Sequence, residues 1–143
     1  MTVPRDSGAL PGHHELDAVC DALGLDPSGE QMLPSRSNAV FHLPTVDLVV
    51  RLSSATPTNA ARTARVVCLT RWIADHGGPA LPPTSHSQPV PEASTVATLW
   101  PYLPSATIPR ARDLATAVQE LPISVINLRS SFSTNPWPGC TRP

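Results

Sequence analysis

Arginine is the side chain best equipped for chemistry in this sequence. All ten basic residues are Arg and none is Lys. Mechanisms that depend on lysine are thereby removed: no Schiff base can form, and a P-loop has no ammonium to set on its phosphates. A guanidinium can still grip phosphate through two parallel N–H bonds. The five histidines, His13, His14, His42, His76 and His86, fall at no metal-ligand spacing with Cys or with one another. The adjacent pair reads as a solvated helix start. Cys20, Cys68 and Cys140 are far apart and odd in number, which suggests neither a disulfide framework nor a metal site and reads as reduced thiols in the cytoplasm. No Asp or Glu occurs between Asp47 and Asp75, so no carboxylate is available there to pair with an arginine.

The sums narrow the functions further. Ten basic residues against eleven acidic ones leave a net charge of −1, which argues against a nucleic-acid or anionic-membrane surface as the main business of the chain. Its 143 residues, 41% of them apolar, suit about one domain with a modest core. Met1 to Gly12 holds a single Arg5 and no apolar run, so no signal peptide is expected. No stretch approaches the roughly 20 apolar residues that a membrane span needs. Proline is the outlier at 18 residues, well above the usual share of about 5%.

The elements that would hold these side chains can be read from periodicity. Leu16, Val19, Cys20 and Leu23 recur at helical spacing, and Gly24 and Pro27 end that helix. Ala39 to Leu43 and Val46 to Leu52 are β-rich runs separated by Pro44-Thr45, a hairpin whose contiguous Leu48-Val49-Val50 points to a central strand. A helix follows over Ala60 to His76, with Ala61, Ala64, Cys68 and Trp72 as its apolar stripe and Gly77-Gly78 as its stop. A Pro-rich connection with a short strand near Gln88 to Val90 leads to a strand over Ser94 to Trp100, and a last helix runs from Arg110 until Pro122 ends it. This order predicts an α+β fold: an antiparallel β-sheet with a packed helix.

Four segments, in order, carry a resemblance. They are Leu33-Pro34-Ser35-Arg36-Ser37-Asn38-Ala39-Val40-Phe41-His42-Leu43-Pro44, then Val49-Val50-Arg51-Leu52, then Arg71-Trp72-Ile73-Ala74-Asp75-His76-Gly77-Gly78-Pro79-Ala80, then Leu99-Trp100-Pro101-Tyr102-Leu103-Pro104. Over residues 16 to 121 the chain resembles the amino-terminal lobe of the aminoglycoside phosphotransferase family, which has a protein-kinase-like fold. The resemblance implies ATP as the cofactor, with Mg²⁺ in the intact family. It places Ser35, Ser37 and Asn38 in the loop over the nucleotide phosphates and Arg51 at the basic position on the third strand. Trp100 and Tyr102 fall at the hinge, beside the base. Without the resemblance, Ser35 to Asn38 is a polar turn, Arg51 is a strand-end charge and the two aromatics cover core.

The chain also departs from the family. The long helix has no acid to pair with Arg51, and the expected position falls near Arg65 or Val66. The catalytic Asp, its Asn and the metal-binding Asp have no counterpart, because the last His is His86, the last Asp is Asp113 and the last acid is Glu120. No catalytic or metal-binding residue is therefore assigned. The resulting expectation is a flexible lead over 1–12, a nucleotide-binding lobe over 13–104, a linker and helix over 105–122 and an irregular tail over 123–143. Such a chain is a truncated member of the family, inactive alone in phosphorylating a small hydroxylated molecule. A non-catalytic nucleotide-binding or protein-interaction module is the alternative. The partners implied are a weakly bound nucleotide and a chain supplying the second lobe.

Overall fold

Each element forms where the local chemistry favours it. The computed structural model describes residues 11–104 and 110–120. Helix α1 spans His13–Leu23 and opens with Glu15 reaching back to accept the Gly12 N–H at 2.7 Å, which satisfies a donor that a helix start leaves unpaired. It closes at Gly24, whose φ of 67° suits a residue without Cβ. Strand β1 is Gln31–Leu33, β2 is Ala39–Leu43 and β3 is Leu48–Ser54. Helix α2, Pro57–Asp75, starts with proline in its first turn and with the Thr56 hydroxyl accepting the Asn59 N–H at 3.2 Å. Strands β4, Val90–Glu92, and β5, Thr95–Pro101, precede helix α3, Ala111–Gln119.

The strands form one antiparallel sheet in the order β1-β2-β3-β5-β4. The fold is α+β, and β3 is interior as its apolar triplet predicts. Register aligns Phe41, Val50 and Leu99 across three strands, and aligns Val40, Arg51 and Thr98 in the next row. Successive side chains alternate between faces, so the two rows face opposite ways. Ala39, Phe41, Leu43, Val50, Leu52, Ala97 and Leu99 join Leu16, Val19 and Cys20 of α1 in the core. Burying each large member contributes roughly 1.5–3 kcal/mol.

The structure corrects several expectations. The stripe Ala61, Ala64, Cys68 and Trp72 is not the buried face of α2: Ala61 is exposed, the other three are half-buried, and Val67 alone is fully buried. The cause is that α1 already covers the apolar face of the sheet, which leaves α2 over the polar face. Strand β1 goes beyond the expected hairpins. The strand expected at Gln88 to Val90 starts at Val90 instead, because Gln88 pairs through its side chain. Its amide accepts the Leu99 N–H at 2.9 Å and donates to the Leu99 carbonyl at 3.2 Å, doing what a strand backbone would do. The final helix is Ala111–Gln119, inside the expected bounds. Residues 1–10, 105–109 and 121–143, with most of the expected lead and all of the expected tail, lie outside the described residues.

Candidate functional site

The polar face of the sheet and α2 enclose a cleft of about 130 Å³. The sheet supplies one wall. Arg51 stands mid-strand on β3 with Val40 and Thr98 as its cross-strand neighbours, and Ser53 follows on the same face. Thr98 is buried, and its hydroxyl accepts the Trp100 indole N–H at 2.9 Å, which fixes the ring at the edge of the cleft. The β1–β2 loop adds Ser37 and Asn38, joined by an amide-to-hydroxyl bond of 3.1 Å.

Helix α2 supplies the other wall. Asn59, Arg62, Thr63 and Val66 recur at three- and four-residue intervals, so one helix face turns all of them toward the sheet. The Asn59 side chain donates to the Ser54 carbonyl at 3.1 Å and ties the start of the helix to the end of β3. Arg62 follows three residues later on the same helix face and lines the cleft with Arg51.

The electrostatics are one-signed. The lining has two guanidinium groups and no carboxylate. Among the described residues the ion pairs are His13–Glu30 at 3.1 Å and His42–Asp47 at 3.9 Å, so no acid neutralises Arg51 or Arg62. The first turn of α2 carries no acid either, which leaves the positive end of its dipole uncompensated beside the cleft. Two forked cations, hydroxyls and carboxamides make a site that can hold an anion rich in acceptor oxygens.

Of the residues singled out in the sequence, Ser37, Asn38, Arg51 and Trp100 line this cleft. Ser35 is exposed on the same loop but is not part of the lining. Tyr102 lies elsewhere: its ring stacks on His42 with centroids 3.7 Å apart, and its backbone N–H donates to the Asp47 carbonyl at 2.8 Å. Arg65 is exposed and outside the lining. Sequence reasoning missed Asn59, Arg62 and Thr63, although a polar stripe at helical spacing was there to be read. It also missed Ser53 and Thr98, whose inward direction depends on register.

Arg71 acts structurally, donating to the Thr84 and His86 carbonyls at 3.0 Å each. Cys68 is disulfide-bonded, which corrects the reading of three reduced thiols and removes that argument for a cytoplasmic setting; Cys140 lies outside the described residues. Cys20 is a free, buried thiol, pushed up from 9.0 to about 11 by burial and then by Asp17 and Asp21 nearby. Among the described residues no helix is long and apolar enough to cross a membrane, and no group of three His, Cys, Asp or Glu could hold a metal ion. The chain matches no protein-family model, no curated protein and no solved structure.

Proposed function

We propose that the cleft between the sheet and α2 binds the phosphate chain of a nucleotide, ATP in the reading that the sequence resemblance suggests. One observation carries this: Arg51 and Arg62 line the same cleft from opposite walls with no carboxylate between them. Arg51 and Arg62 are both exposed, and two cations with no acid beside them favour an anion over a cation at this cleft. Trp100 gives the base a flat ring beside the phosphates.

The activity proposed for these residues is binding. In an aminoglycoside-phosphotransferase-like kinase such a lobe would present ATP to a small hydroxylated acceptor. The base and the metal-holding acids of that chemistry have no counterpart among these residues, so no phosphoryl-transfer step is assigned to them.

The test is thermal unfolding with adenosine, AMP, ADP and ATP. Ligand bound only by the folded state raises Tm by mass action, and the rise should grow with the number of phosphates. Arg51→Ala should weaken ATP binding by about tenfold or more, the loss expected for a charge-assisted hydrogen bond. An unchanged Tm at millimolar ATP, or an Arg51→Ala chain that binds ATP as tightly as the parent, defeats the proposal.

A further inference from the structure

Kinase-like sites meet their nucleotide with Mg²⁺ on it, and the residues of this cleft do not fit that ion. We infer that the cleft takes its polyphosphate as the free anion, with Arg51 and Arg62 together doing the work of a divalent metal. The inference rests on the nucleotide reading of the same cleft and adds to it a ligand form and a specificity residue, Arg62.

The donor set decides the fit. Mg²⁺ is a hard cation held by carboxylates together with phosphate oxygens and water. The cleft offers hydroxyls, carboxamides and two guanidinium groups. Neutral oxygens alone leave a divalent charge uncompensated, and the two arginines repel it. The sequence has no acid from residue 48 to residue 74, which includes β3 and almost all of α2, so neither wall could bring one in by changing a rotamer. Asp47 is the nearest acid in sequence to β3, and it stands 3.9 Å from the buried His42 ring.

The cations are placed to replace the metal. A guanidinium offers a planar fork of donors, and two forks from opposite walls can hold separate oxygens of one phosphate chain without any bridging ion. Each has its charge available, since among the described residues no carboxylate pairs with either. Arg62 lies in the second turn of α2, close to the helix end whose dipole also attracts anions. No acid occurs on this helix before Asp75, and Arg62, a turn before the position where the resemblance expects one, lines the cleft instead. Magnesium then competes with the protein for the same oxygens, and complexing it to the ligand weakens binding.

The experiment is calorimetric titration of the full chain with ATP in EDTA and in excess MgCl₂ at matched ionic strength, repeated with inorganic tripolyphosphate. ATP in EDTA should bind about tenfold tighter than with Mg²⁺, the worth of one charge-assisted hydrogen bond. Arg62→Ala should erase most of that difference, and Arg62→Lys, which keeps the charge but loses the fork, should fall between. Tighter binding with Mg²⁺, equal binding in the two buffers, or an Arg62→Ala chain that behaves like the parent overturns the metal-free clamp while the nucleotide reading stands. Tripolyphosphate binding without ATP binding overturns the nucleotide reading and keeps the clamp. Binding of neither ligand overturns both.

Discussion

Arg51 and Arg71 are alike in sequence and opposite in role, and the difference is in what each can reach. Arg51 projects from β3 between Val40 and Thr98, which offer it no charge, and it faces the cleft. Arg71 is half-buried and spends its donors on two backbone carbonyls, those of Thr84 and His86. Those carbonyls belong to the connection between α2 and β4, where the Thr84 carbonyl also accepts the Gln88 amide at 2.9 Å and the His86 carbonyl depends on Arg71. Removing the guanidinium leaves both without this donor, so Arg71→Ala should destabilise the fold by about 1.5–3 kcal/mol. Both bonds leave one terminal nitrogen, so Arg71→Lys, whose ammonium carries three donors on a shorter stem, should recover part of the loss. Urea unfolding followed by circular dichroism measures both. A parent-like midpoint for Arg71→Ala would show that the two bonds add nothing net.

Among the elements, those with strong local signals were legible and those fixed by long-range partners were not. Strands β2, β3 and β5 are runs of β-branched and aromatic residues bounded by proline and turn residues, and α1 has its apolar spacing and its Gly24 stop. Strand β1 has only Gln31, Met32 and Leu33 before Pro34, too short for a period to show. The stripe of α2 misled because periodicity reports which residues share a face, not what that face meets. In the site, Arg51 and Trp100 were reached through the strand and hinge positions of the resemblance, whereas Arg62 was not, because its place in the cleft depends on a helix crossing a sheet. Gln88 is the clearest case of a long-range role. Its carboxamide donates to the Thr84 carbonyl at 2.9 Å and stands in for a backbone pairing with Leu99. Gln88→Ala should cost about 1–3 kcal/mol through the groups it leaves unpaired. The Leu99 amide should then exchange hydrogen faster than its neighbours on β5. Unchanged protection at Leu99 would contradict the substitute-strand role.

Across the whole molecule, one sheet serves two purposes because α1 and α2 lie on opposite faces. The α1 face is buried and holds the core, while the α2 face carries Arg51 and Arg62. Net charge is only −1, so the anion binding proposed above would depend on where the arginines stand and not on their number. Such a field is local, and salt should screen it over a Debye length of about 10 Å at 0.1 M. Stability and binding should therefore separate under mutation. Phe41→Ala, in the buried core, should cost about 3–5 kcal/mol. Replacing Arg51 and Arg62 together by Met keeps apolar stems, removes an uncompensated repulsion and should leave Tm level or raise it. The same double variant should lose the Tm rise that polyphosphate gives the parent, and that rise should itself shrink between low and high NaCl. A double variant that unfolds as easily as Phe41→Ala would mean that the arginines belong to the core structure. A polyphosphate effect indifferent to salt would mean that contacts other than charge hold the ligand. In either case the division of labour between the two faces would fail.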